Sequence, residues 1–137
     1  MAFVNIMIHA VWGTKNRVHF LTDDLRPIII NHIKLNAKAK NIYIDRINGY
    51  KDHLHCLFSL NADMSIAQAM LLMKGESAFW INKNKLFDAK FEWGVGYYAA
   101  SVSESSLENV RSYIDRQEEH HRKKVVNHEN FSDEQMA

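Results

Sequence analysis

Four segments of the chain carry the apolar or alternating patterns that favour β-strands. Residues 3–12 are apolar on both faces, which is typical of a central strand. Residues 42–48 alternate apolar and polar side chains, residues 49–52 have turn character, and residues 53–60 are again apolar, so this region predicts a β-hairpin. Residues 97–102 predict the last strand of the sheet.

Three other segments repeat apolar side chains at helical spacing. The first runs from residue 23 to about residue 40, and the second carries an apolar stripe over residues 66–81. The third begins at a predicted capping box formed by Ser105 and Glu108 and continues to the basic residues 122–124, which suit a helix C-terminus.

The order strand, helix, strand, strand, helix, strand predicts a ferredoxin-like fold of the α/β (α+β) class. Its antiparallel sheet should carry helices on one face, with the first and third strands at the centre, and a further C-terminal helix follows. We predict one domain over residues 1–126, and a flexible C-terminal tail over residues 127–137 because those last residues are polar.

Composition and charge exclude several classes of protein. With 17 basic and 16 acidic side chains, the net charge of +1 gives no global attraction to polyanions, so nucleic-acid binding would need local patches. Cys56 is the single cysteine, which excludes an internal disulfide and a cysteine-rich zinc site and fits a cytoplasmic location. We expect no membrane span, since no apolar run approaches the roughly 18 residues that one needs, and the first nine residues lack a signal-peptide pattern.

His53 and His55 give the third strand its candidate chemistry. Alternate residues of a strand point to one face, so the two imidazoles meet the same space while Cys56 points to the other face. Two imidazoles can chelate a divalent cation if a third ligand comes from elsewhere. The residues alone leave open that both histidines are buried polar side chains held only by hydrogen bonds.

Tyr113 and Gln117 are four residues apart on the third helix and share a face at the edge of its apolar stripe. Tyrosine is a potential nucleophile and glutamine is a neutral oxygen ligand, so the pair could complete a cation site with the histidines. His121 lies one turn beyond Gln117 and could compete for the cation, but we expect it to lie in solvent at the helix end.

The histidine–hydrophobe–histidine motif, combined with a tyrosine four residues before a glutamine, resembles the HUH single-tyrosine transposases of the IS200 type. The likeness covers nearly the whole chain as five motifs in order, at residues 9–17, 52–55, 73–77, 96–103 and 113–121. The chain departs from the family pattern at Gly94 and at residues 96–100, changes that concern DNA-end recognition and local packing more than chemistry.

The resemblance implies a transposase in which Tyr113 attacks a phosphodiester of single-stranded DNA and forms a 5′-phosphotyrosine. It implies that His53, His55 and Gln117 hold Mg²⁺ or Mn²⁺ on the scissile phosphate. It also implies a homodimer that recognises DNA hairpin ends and shares its active sites between subunits.

Three basic side chains are candidates for contact with DNA, and two other functions remain open. Lys15, Arg17 and Lys74 are candidate DNA contacts, because phosphate neutralisation supplies most sequence-independent affinity. One alternative is a domesticated relative acting on other DNA ends, and another is a non-catalytic module that binds single-stranded nucleic acid. Such a module predicts aromatic side chains on the central strands. A hydrolase with Cys56 as nucleophile is disfavoured, because strand alternation points the thiol away from the histidines.

Overall fold

The computed structural model describes residues 3–126 of the chain, and the tail predicted over residues 127–137 lies outside them. Four strands and four helices follow one another in this part. They are β1 (Met7–Gly13), α1 (Arg26–Ala39), β2 (Tyr43–Gly49), β3 (His53–Ser59), α2 (Ile66–Lys83), β4 (Tyr98–Val102), α3 (Leu107–Asp115) and α4 (Gln117–Val126).

The strands form one antiparallel sheet in the order β2-β3-β1-β4. The prediction of an α+β fold with a ferredoxin-like antiparallel sheet is therefore confirmed, and β1 and β3 are its central strands. None of the helices within residues 3–126 is both long and apolar enough to cross a membrane.

The main core lies on one face of the sheet, beneath α1 and α2. Leu54, Cys56 and Phe58 of β3 point into it and are fully buried, as strand alternation requires. Burial also raises the pKa of the Cys56 thiol, and its place in the core excludes contact with the two histidines on the opposite face. A cysteine nucleophile is therefore ruled out by the fold.

A tight β2–β3 hairpin sets the position at which β3 begins. Tyr50 donates its backbone N–H to the carbonyl oxygen of His53 at 3.0 Å. A Cβ atom at Gly49 would lie 2.1 Å from that same oxygen, so only glycine permits this approach. The hairpin thereby fixes His53 at the first position of β3.

The opposite face of the sheet is covered by α3, which packs over β2 and β3. Ile114 is fully buried there, and Asn48 of β2 donates its Nδ2–H to the Ile114 carbonyl oxygen at 3.0 Å. Asp45 is an extra residue in the pairing of β2 with β3, and its two carboxylate oxygens accept hydrogen bonds from Arg111 at 2.9 Å each. The C-terminal helix is thus attached to the sheet of its own chain.

The first strand is shorter than the predicted segment of residues 3–12. Met7 is the first residue of β1 that pairs on both sides, with Ser59 of β3 and Val102 of β4. Residues 3–6 are exposed, although the Ile6 carbonyl oxygen still accepts a hydrogen bond from the Leu60 N–H at 2.8 Å, just beyond β3. The apolar segment therefore begins before the paired strand does.

The C-terminal helix also differs from the prediction. The backbone of Arg116 leaves helical geometry, with φ of −107° and ψ of 25°, so the single predicted helix is divided into α3 and α4. The predicted capping box is wrong: residues 104–106 form a 3₁₀ turn, and α3 starts at Leu107 without a side-chain cap. Glu108 pairs with Arg111 instead of reaching back to Ser105.

Replacing Ile114 with alanine should weaken the attachment of α3 to the sheet. Because the side chain is fully buried, Ile114→Ala is expected to lower the free energy of unfolding by about 2–4 kcal/mol in urea titrations. Leu71→Ala removes a side chain that is 70% exposed on α2 and should change the free energy of unfolding by less than about 0.5 kcal/mol. Equal effects of the two substitutions would contradict this packing of α3.

The Asp45–Arg111 pair predicts a pH-dependent stability. The hydrogen bond from Arg111 lowers the pKa of Asp45, so the ionised carboxylate stabilises the fold above its unfolded pKa of about 4. This contribution is lost as the pH falls through the lower folded pKa. Asp45→Asn should therefore reduce the melting temperature by a few degrees at pH 7, and thermal unfolding should show this difference shrinking below about pH 4. The matched control is Asp63→Asn, at an exposed carboxylate, for which only a small difference at pH 7 is expected.

Candidate active site

His53 is fully buried and is oriented by a carboxylate. Its Nδ1 lies 2.8 Å from Oδ1 of Asp52, and Oδ2 of Asp52 accepts a hydrogen bond from Nε of Arg17 at 3.2 Å. Burial opposes the ionisation of Asp52, but the hydrogen bond and charge of His53 and the charge of Arg17 outweigh it and lower its pKa to about 2. When neutral His53 donates its Nδ1 proton to this carboxylate, Nε2 carries the lone pair.

His55 lies on the same face of β3 and is also buried. Its Nδ1 is 2.9 Å from Nε2 of His9 on β1, and the two rings stack with centroids 5.2 Å apart. Burial lowers the pKa of His55 well below its usual value, and the neighbouring His53 and His9 lower it further. Burial also lowers the pKa of His9. His55 is therefore neutral near pH 7, which is the form that a metal ligand needs.

Gln117, the first residue of α4, is fully buried above His53. Its Nε2 donates to the carbonyl oxygen of Tyr113 at 3.2 Å, and its Oε1 lies 3.4 Å from Nε2 of His53. In the His53 tautomer that donates to Asp52, these last two atoms are both acceptors, so a cation beside them would relieve their repulsion.

His121 is 3% exposed, so the expectation that it lies in solvent is wrong. His121 lies in α4, beyond the change of backbone geometry at Arg116, and stacks on the Tyr50 ring at a centroid distance of 5.0 Å. Its Nε2 lies 3.1 Å from Oε1 of Gln117. Burial, together with the neighbouring histidines, lowers the pKa of His121 to about 3.

Tyr113 lies at the rim of this cluster with 36% of its surface exposed. Its ring meets the His55 ring edge-on at a centroid distance of 5.4 Å and the His9 ring at 6.4 Å. A cleft of about 200 Å³ opens beside it, lined by Tyr113, Arg116, Glu119 and His120. The tyrosine therefore borders solvent, whereas the side chains beneath it are buried.

A single chain thus brings together all four predicted site residues, Tyr113, His53, His55 and Gln117. The sharing of active sites between two subunits stays a prediction. Among the described residues, no three His, Cys, Asp or Glu side chains converge on one cation position, so His121 does not complete a three-histidine site. Two imidazoles and the Gln117 oxygen form a donor set that fits a divalent cation.

Two of the three candidate DNA contacts lie in the 3₁₀ turn that follows β1. Lys15 is exposed and forms an ion pair with Glu92 at 3.3 Å, while Arg17 is engaged with Asp52. The backbone of Arg17 is left-handed, with φ of 57°, which is unusual for a side chain of this size. Both residues are accessible to a phosphate, and their contact with DNA stays a prediction.

Lys74, the third candidate, is half-buried on α2 and holds a loop. Its Nζ donates hydrogen bonds to the carbonyl oxygens of Gly94 and Gly96, at 2.9 Å and 2.7 Å. Burial lowers its pKa. The structure therefore gives Lys74 a role in fixing the loop at residues 94–96, and its contact with DNA also stays a prediction.

Sequence reasoning missed the residues that hold the two histidines. Asp52 could have been found, because a metal-binding histidine commonly donates its second ring N–H to a carboxylate, and Asp52 directly precedes His53. His9 carried a weaker signal: alternation places it on one face of a central strand, but only the pairing of β1 with β3 brings it beside His55. Tyr50, which stacks on His121, gave no signal because the two residues are distant in the sequence and meet only in the fold.

Comparisons with known proteins agree with this architecture. The family model described as "Transposase IS200 like" matches residues 2–117. The transposases for insertion sequence element IS200 of Salmonella typhimurium and Salmonella typhi are each 25% identical over 119 residues, covering 82% of this chain and 77% of theirs.

Two solved structures show the same fold. A crystal structure of a transposase from Deinococcus radiodurans R1 has a TM-score of 0.68 and 20% identity, covering 85% of this chain and 95% of that one. A REP-associated tyrosine transposase bound to a REP hairpin has a TM-score of 0.67 and 12% identity, covering 88% and 71% of the two chains. Because the family model spans most of the sequence, including Tyr113 and Gln117, the chain belongs to the IS200-like transposase family.

Proposed function

We propose that this chain cleaves and rejoins single-stranded DNA through a covalent bond between Tyr113 and the 5′ phosphate. The observation that carries the proposal is the convergence of an accessible tyrosine with two buried imidazoles and a buried carboxamide oxygen. A nucleophile at a solvent-facing rim can meet a polymer such as DNA, while donors beneath it can hold a charge-neutralising cation.

In the proposed reaction, the phenolic oxygen of Tyr113 attacks the phosphorus of a phosphodiester. The bond from phosphorus to the 3′ oxygen breaks, so the strand downstream of the break remains attached to Tyr113 through its 5′ phosphate as a phosphotyrosine. The phenol loses its proton, and the departing 3′ oxygen gains one to become a free hydroxyl. Attack of a 3′-hydroxyl on the phosphotyrosine reverses these steps and rejoins DNA.

His53, His55 and Gln117 would hold Mg²⁺ or Mn²⁺. When bound, such a cation polarises the scissile phosphate and stabilises the departing oxygen. The chain's own residues supply orientation: Asp52 fixes the His53 ring, and Gln117 is held by its hydrogen bond to the Tyr113 backbone. That hydrogen bond, from Nε2, links the side chain whose Oε1 would bind the cation to the residue that carries the nucleophile.

The proposed substrate is a single-stranded DNA end beside a hairpin, bound by a homodimer. The REP-associated tyrosine transposase, whose fold is similar to that of this chain, is bound to a REP hairpin in its solved structure. The exposed Lys15 and the cleft residue Arg116 supply positive charge near the site. A domesticated relative would use the same chemistry on other DNA ends.

A non-catalytic binding module is disfavoured by the side chains on the site face of the central strands. Within the described part of the chain, this face of β1 and β3 carries histidines and aliphatic side chains where stacking on bases would require exposed aromatic rings. These residues are Met7, His9, Val11, His53, His55 and Leu57.

Removing the Tyr113 hydroxyl should abolish covalent chemistry. Purified protein incubated with labelled single-stranded hairpin DNA and Mn²⁺ should form an SDS-resistant adduct that EDTA prevents. Tyr113→Phe should reduce the adduct at least about a thousandfold, because no other atom replaces the nucleophile. The matched control is Tyr43→Phe, a tyrosine on β2 that is 66% exposed, which should form the adduct normally. Adduct formation by Tyr113→Phe would reject the assignment of the nucleophile.

Replacing Lys15 should weaken DNA binding in a salt-dependent way. For Lys15→Ala, the slope of log affinity against log salt should fall by about 0.7 for one lost contact with single-stranded DNA. Lys90 also pairs with Glu92, at 3.8 Å, so Lys90→Ala is a matched control that should leave the slope unchanged. Fluorescence anisotropy with a hairpin oligonucleotide measures both slopes, and equal slopes for all three proteins would remove Lys15 from the interface.

A further inference from the structure

The two candidate metal-binding histidines, His53 and His55, are each held through the ring atom Nδ1, but by different partners. Nδ1 of His53 faces the carboxylate of Asp52, its neighbour in sequence, at 2.8 Å. Nδ1 of His55 faces Nε2 of His9, which lies 46 residues earlier on another strand, at 2.9 Å. Both rings therefore have Nδ1 occupied by a second side chain, and in both rings Nε2 is the atom left for a cation.

The pairing of β1 with β3 produces the contact between His9 and His55. His9 stands opposite Leu57, and His55 stands opposite Val11, so the two histidines are diagonal neighbours on the same face. Diagonal neighbours in an antiparallel pair are within reach when their side chains are long or aromatic. The contact is therefore fixed by the register of the two central strands.

The direction of this hydrogen bond decides which nitrogen of His55 can bind a metal. If His55 donates its Nδ1 proton to His9, its Nε2 keeps a lone pair for a cation. If His9 donates, the neutral His55 ring carries its own proton on Nε2 and cannot bind a cation there. A neutral imidazole at position 9 can accept the proton, whereas a ring without nitrogen cannot.

We propose that His9 is a positioning residue of the metal site: its Nε2 accepts the Nδ1 proton of His55 and holds that ring in the tautomer that presents Nε2 to a divalent cation. This inference rests on the proposed function, since it assigns a role toward the cation held by His53, His55 and Gln117. It adds a residue from β1 to a site otherwise built from β3 and α4.

Substitutions at position 9 separate this role from simple packing. His9→Phe keeps an aromatic ring against His55 and removes the acceptor, whereas His9→Gln keeps a carbonyl oxygen that can accept the same proton. Isothermal titration of the DNA-free protein with Mn²⁺ measures the dissociation constant directly. We expect His9→Phe to raise it about 10–100-fold and His9→Gln to stay within about threefold of wild type. His19→Phe, at an exposed histidine, should leave it unchanged.

Two further measurements test the folding of the variant and the tautomer of His55 directly. Thermal unfolding in EDTA should give His9→Phe and wild type the same melting temperature within a few degrees. Long-range ¹H–¹⁵N NMR of metal-free wild type should show His55 protonated at Nδ1 and unprotonated at Nε2. The opposite tautomer would overturn the proposal without any variant being needed.

The outcomes also distinguish this proposal from the proposed function. If wild type binds Mn²⁺ and His9→Phe binds it equally well, the role of His9 is wrong and the cation site stands. If His9→Phe and His9→Gln are weakened alike, the side chain acts by packing and the proposal is overturned. If wild type itself binds no Mn²⁺, the cation site of the proposed function fails and the role of His9 fails with it.

Discussion

The pairing of β1 with β3 is the constraint on which the rest of the structure depends. Because side chains alternate along both strands, one face of this pair must form the core and the other must carry the polar groups. A shift of one residue in β3 would bury His55 beneath α1 and α2 and move Cys56 to the face that α3 covers. The register therefore determines the fold and the position of the chemistry together.

The parts that could be predicted are those that depend on local patterns. Alternation alone placed His53 and His55 on one face and Cys56 on the other, and the order of elements was enough to make β1 and β3 central. Helical spacing likewise placed Tyr113 and Gln117 on one side of their segment. These relations hold over a few residues, where backbone geometry leaves little choice.

The parts that could not be predicted depend on contacts between distant residues. The break at Arg116 has no proline or glycine to signal it, and it coincides with the hydrogen bond that Asn48 of β2 donates to the Ile114 carbonyl oxygen. Beyond this break, His121 packs on Tyr50, which follows β2, and is buried instead of lying at a solvated end. A pattern read along one segment contains no information about a partner on another strand.

The ion pair of Arg17 with Asp52 leaves part of the guanidinium available for a second contact. Asp52 is largely buried and ionised, and such a carboxylate needs a positive partner, which Arg17 supplies through its Nε. A guanidinium has five N–H donors in a planar fork, so one bond to Asp52 leaves the terminal nitrogens available. Within the described residues, those terminal nitrogens make no hydrogen bond, and the side chain is 36% exposed. Arg17 can therefore hold the carboxylate that orients His53 while its terminal nitrogens stay available for the predicted contact with a DNA phosphate.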